Sequence, residues 1–70
     1  MDYEPFEIEM IPDLKELPSS DRETIIQKLN IAIADNEPKM LIRLNYCKNG
    51  IDMLVYKSDY MDLYNAFKRV

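Results

Sequence analysis

The chain has a single glycine, Gly50, and it follows Asn49 between two runs of alternating apolar and polar residues. Asn-Gly in that setting is the strongest short-range hairpin signal, because a type I′ turn needs positive φ at both central positions. The runs are Lys39 to Cys47 and Ile51 to Lys57. A two-residue turn predicts that Lys48 faces Ile51, Tyr46 faces Met53 and Leu44 faces Val55. Met40, Ile42, Leu44, Tyr46, Ile51, Met53 and Val55 then share one face, the core face. Leu41, Arg43, Asn45, Cys47, Asp52, Leu54 and Tyr56 share the other. That second face is mixed in character, which suits a cover such as a partner or a second copy.

Three further segments carry a periodic signal. Tyr3 to Met10 alternates, with Phe6, Ile8 and Met10 on one side of a strand and Glu7 and Glu9 on the other. Pro5 lacks an N–H, so this strand starts at Phe6 or lies at a sheet edge. Ile11 to Pro18 reads as a connector in which Asp13 to Leu17 forms one helical turn. Ser20 and Glu23 form a capping box that opens a helix running to about Ala34. Its apolar stripe is Ile25, Ile26, Leu29, Ala32 and Ile33, and Asn36 and Pro38 stop it. Ser58 caps a last helix whose stripe is Tyr60, Leu63, Tyr64 and Phe67. Asp59 lies in its first turn, and Lys68 and Arg69 lie at its negative end. The order is β-α-β-β-α. The expected fold is a small two-layer α+β domain: a three-stranded sheet with two helices on one face.

Seventy residues support one domain, spanning residues 1–70. At 47% apolar the chain is too hydrophobic for a disordered one. No apolar run approaches the roughly 20 residues that span a bilayer, and no signal peptide is expected. A lone Cys47 offers no disulfide framework, which fits a reducing cytoplasm. The absence of histidine removes the commonest general base and metal ligand. Cys47 has no base to activate it and reads as a small apolar residue. No run of oxygen ligands surrounds a turn glycine as a calcium loop requires. The reading is therefore not an enzyme, with no metal and no cofactor.

Charge is distributed unevenly. Residues 1–23 hold eight acids and two bases, net −6, whereas residues 24–70 hold five acids and seven bases, net +2. Asp21 and Glu23 complement a helix dipole, so part of the excess is structural. The rest forms a candidate binding surface. On a strand, Glu7 and Glu9 would project from one side about 6.6–6.8 Å apart, close to the interval between successive phosphates of a nucleic-acid strand. Glu4, Asp13 and Glu16 would extend that row at its two ends, with Asp59 and Asp62 as a second patch. Such a row offers a basic groove what it meets on a phosphate backbone, without base readout. Tyr3, Leu54 and Tyr56 are secondary candidates that would add apolar contact.

In length, acidity, lack of histidine and an acidic N-terminal third, the chain resembles the small acidic host-takeover proteins of large lytic Bacillus phages. More narrowly, it resembles the DNA-mimic inhibitors of the histone-like nucleoid protein HU. That resemblance implies a phage-encoded protein in the host cytoplasm that occupies the DNA-binding saddle and arms of HU, excludes DNA and disturbs the nucleoid. Direct nucleic-acid or membrane binding is not expected of an acidic surface. The alternatives are an oligomerisation module or homodimer built on the mixed sheet face, and the same acidic surface aimed at RNA polymerase, a nuclease or a CRISPR effector.

Overall fold

A computed structural model describes residues 3–45 and 50–68. The elements are β1 (Tyr3–Pro5), a 3-10 turn (Ile8–Met10), α1 (Ile11–Leu14), α2 (Ser19–Ala34), β2 (Lys39–Ile42), β3 (Asp52–Tyr56) and α3 (Lys57–Lys68). The long elements follow the order β-α-β-β-α, and the domain is α+β. Its sheet runs β1-β3-β2, with β1 parallel and β2 antiparallel to the central β3. Among the described residues, no helix is long and apolar enough to cross a membrane.

Alternation sorts the sheet residues as expected. Ile42, Leu44, Met53 and Val55 are buried with Ile25, Leu29 and Ala32 of α2 and Tyr60, Leu63 and Phe67 of α3. Ile26 and Tyr64 are partly buried against this core. Ile33, expected in the α2 stripe, is 40% exposed. It lies in the last turn of α2, where it lines a surface groove with Asn36, Lys57 and Met61.

The hairpin register departs from the expectation. Ile42 pairs with Met53 and Met40 with Val55, a slip of four residues from the register an Asn49-Gly50 turn would set. Tyr46, Cys47, Lys48 and Asn49 lie outside the described residues. Gly50 does adopt positive φ, at 74°. An even slip keeps every side chain on its own face, so the apolar pattern cannot distinguish the two registers. Packing does. The observed register sets β2 directly after α2, where the Lys57 amide donates to the Pro38 carbonyl at 2.9 Å. Lengthening the connection costs little, because loop-closure entropy grows only logarithmically.

The helix starts also differ. No capping box forms at Ser20: α2 begins at Ser19 behind Pro18, which supplies no side-chain cap. The Pro18 carbonyl accepts from the Asp21 and Arg22 amides at 3.0 and 3.1 Å, so the turn closes one residue early. α3 begins at Lys57, directly after β3, and leaves Ser58 inside the helix.

α2 ends where Asn36 was expected to stop it. Asn36 sits at φ 57°, its amide donates to Ile33 and that of Glu37 to Ala32. This is the Schellman arrangement, which satisfies the last carbonyls through one left-handed residue. The Asn36 side chain also accepts from the Lys57 ammonium. Asn36→Ala should cost about 1–2 kcal/mol, since a Cβ-bearing residue without a local polar group resists left-handed φ. Urea denaturation checks it, and Asn36→Gly should restore most of the loss.

Candidate functional site

The first segment holds the largest correction. The first strand does lie at the sheet edge, but it is Tyr3–Pro5, and no strand continues to Met10: Ile8–Met10 is a 3-10 turn. Pro12 lies in the first turn of α1, where its missing N–H costs nothing and its φ suits a helix. Met10, Ile11, Leu14 and Leu17 then turn inward, with Leu14 fully buried. A strand would have buried Ile8, which is instead 51% exposed. The row formed by Glu7 and Glu9 on one strand face therefore does not exist.

Helical geometry assembles a different row. The 3-10 turn runs straight into α1, and its outward positions are Glu9, Pro12, Asp13 and Glu16, all exposed. Glu9, Asp13 and Glu16 are spaced i, i+4, i+7, so they recur along one side of the segment. Neighbours at such spacing have Cβ atoms about 5–6 Å apart. The inward stripe anchors this segment to the core, so the carboxylates project from packed structure. Lys15 is the one cation between Tyr3 and Asp21 and is exposed.

Glu7 lies outside this row. Its backbone is extended (φ −130°, ψ 147°), and the Phe6 amide donates to the Leu54 carbonyl at 2.7 Å, which continues the parallel register past Pro5. The extended backbone one residue past that bond turns the exposed Glu7 to the opposite side of the chain from the buried Phe6. Glu4 pairs in register with Met53 and so takes the helix-facing side of the edge strand, half-buried.

Asp59 and Asp62 lie on α3. Lys57 and Met61 of α3 line a groove against Ile33 and Asn36 at the end of α2. Helical spacing turns Asp59 and Asp62 to the opposite flank of α3. The 3-10 turn also packs on α3, and it follows β1, the strand on the far side of β3 from β2. The half-buried state of Asp59 fits this neighbour. Glu9 and the pair Asp59 and Asp62 thus stand on two elements that pack together, the 3-10 turn and α3. Among the described residues the one ion pair is Arg43–Asp52 (3.0 Å), elsewhere on the sheet, so none of these carboxylates is paired with a described cation.

The remaining sheet face is open among the described residues. Tyr3, Leu41 and Tyr56 are 42%, 43% and 48% exposed on it, around a covered Leu54. Lys39 and Arg43 belong to it as well, by alternation along β2. The observed register sets Lys39 opposite Tyr56, a neighbour the two-residue turn would have denied it.

One buried polar group stands apart. The Tyr60 side chain is 2% exposed, and its hydroxyl has no hydrogen-bond partner among the described residues. Burial pushes its pKa up from 10.0, and the nearby Glu37 carboxylate adds to the rise. Above pH 10 the unfolded chain releases this proton while the folded chain holds it, so stability falls with rising pH in that window. Tyr60→Phe should flatten that alkaline loss and leave stability at pH 7 equal or slightly higher, since an unpaired buried hydroxyl is removed. Thermal melts of both proteins at pH 7 and above 10 check this.

Among the described residues, no three acids and cysteines come close enough to hold a metal ion. No known family model, curated protein or solved structure matches the chain.

Proposed function

We propose that the protein is a cytoplasmic DNA-mimic inhibitor: it binds a basic nucleic-acid-binding protein, foremost an HU-like nucleoid protein, and blocks its DNA contacts. It acts by occupancy, with no catalytic step and no cofactor. The observation that supports this reading is the set of carboxylates on the helical segment, Glu9, Asp13 and Glu16, exposed and with no ion pair among the described residues. Asp59 and Asp62 extend the set, and Glu7 and Glu4 border it. Their role is to accept charge-assisted hydrogen bonds from lysine and arginine. Phosphate contacts carry no base information, so a negatively charged surface held in place competes for them without imitating a sequence.

Competition is the test. A purified HU-type protein is bound to a fluorescent duplex, and the chain is titrated in at low and at physiological salt. The expected result is displacement of the duplex, weaker at higher salt because exposed pairs are screened over about 8–10 Å. The variant Glu9→Lys/Asp13→Lys/Glu16→Lys should not displace it. A chain that leaves the duplex bound at low salt, or a variant that competes as well as the original, overturns the proposal. RNA polymerase, a nuclease or a CRISPR effector tried in the same format would reveal a different basic target for the same surface. A second reading, self-association, is favoured by a separate observation: the exposed Tyr3, Leu41 and Tyr56 of the open sheet face.

A further inference from the structure

The open face has an order that its composition alone does not convey. Register places its residues in three rows across β1, β3 and β2. The first row is Tyr3, Asp52, Arg43; the second is Pro5, Leu54, Leu41. The third is Glu7, Tyr56, Lys39, with Glu7 set by the continued register at Phe6. The middle row is apolar throughout. Each outer row ends in a cation on or just after β2 and in an aromatic ring on β1 or a carboxylate just after it.

We propose that this face is the interface of a two-fold symmetric dimer, with a second copy of the chain stacked on it about an axis parallel to the strands. Such an axis lays β3 on β3 and exchanges β1 with β2, while each row meets itself reversed. A C2 interface must be self-complementary in this sense. Here it is. Glu7 meets Lys39 of the second copy, twice by symmetry. Tyr3 meets the guanidinium of Arg43, a cation–π pairing. Leu41 meets Pro5 above the already buried Leu54, and Tyr56 stacks on Tyr56 at the axis. The one like-charge encounter, Asp52 on Asp52, is offset in each copy by Arg43 at 3.0 Å. Sheets stacked this way keep their strands within about 30° of each other, which preserves the row matching near the axis. The helices cover the opposite face of each sheet, so the dimer leaves the row of Glu9, Asp13 and Glu16 exposed. The inference does not rest on the acidic-surface reading.

A charge swap tests it by analytical ultracentrifugation from low micromolar to millimolar concentration. The original chain should sediment as a species of twice 8.3 kDa at the upper end. Lys39→Glu opposes Glu7 twice and should weaken association by about tenfold or more. The double variant Glu7→Lys/Lys39→Glu rebuilds both pairs with reversed sign and should return association to near the original. Tyr56→Glu should abolish it, with circular dichroism confirming the fold. Should Tyr56→Glu fail to fold, the swap series decides alone. A chain that is monomeric at millimolar concentration, a swap that does not rescue, or growth beyond the dimer overturns the proposal. Growth of that kind would mark head-to-tail stacking of acidic on basic edges.

Discussion

Leu63→Ala is expected to remove a large share of the fold's stability. Leu63 is fully buried at the centre of the α3 stripe, between Tyr60 and Phe67, and faces the sheet residues Met53 and Val55 in one core. Removing a buried leucine side chain loses its transfer free energy and leaves a cavity, together about 2–5 kcal/mol. A chain of this size has a total stability of only about 3.5–10 kcal/mol. Its core is a single layer between one sheet face and two helices, with no second core to absorb the loss. Met61→Ala, two positions away but 52% exposed, should change stability by no more than about 0.5 kcal/mol. Urea titration of the two variants side by side separates burial from helix propensity, which is similar for both substitutions. Equal effects would mean that α3 does not dock as described.

The second large effect concerns binding. Reversing Glu9, Asp13 and Glu16 to lysine takes the net charge from −4 to about +2 and replaces three attractions with three repulsions. An exposed pair is worth about 0.2–1 kcal/mol, and a like-charge meeting costs a similar amount. Three reversals together then cost roughly 1–6 kcal/mol, or about tenfold to more than a thousandfold in affinity, the upper end applying where contact expels water. The fold should change little, because all three side chains are exposed. Reversal of Asp59 and Asp62 alone should have a smaller effect, because it removes two charges at the border of the row. If that pair matters more than the three, α3 is the centre of contact. Loss of binding without loss of helicity distinguishes a contact role from a folding role.

The two surfaces share one residue. Glu7 sits at the margin of both, so its reversal by itself reports on neither. Lys39 and Tyr56 belong to the sheet face alone, and Glu9, Asp13 and Glu16 to the acidic side alone. A protein that displaces DNA yet remains monomeric retains the first proposal and loses the second, and the reverse outcome does the opposite.

Local patterns were sufficient for most of the elements. The 3.6-residue stripes of α2 and α3 appear in the order of residues, because a helix sorts its faces within a few turns. The two faces of β2 and β3 follow from strict alternation, and Asn36 ends α2 because few other residues accept left-handed φ. The first segment was ambiguous for a physical reason. Phe6, Ile8 and Met10 fit a period of two, while Met10, Leu14 and Leu17 fit a helix, and the overlap is too short for periodicity to choose. The choice fell to the core, which accepts Leu14 and Leu17 beside Phe6 but leaves Ile8 outside.

Register and strand order were beyond the sequence for a related reason. A slip of four residues moves no side chain to the other face, so both hairpins satisfy the same apolar pattern. Only the docking of β2 between α2 and β3 separates them, and it is what sets Lys39 beside Tyr56. The parallel pairing of β1 with β3 is likewise a long-range contact that no local signal encodes. The sequence by itself determined which faces of α2, α3, β2 and β3 turn inward and that the negative charge gathers near the start of the chain. Tertiary structure decided which of those charges stand together, because a helical turn and a strand point the same carboxylates in different directions, and only packing chooses between them.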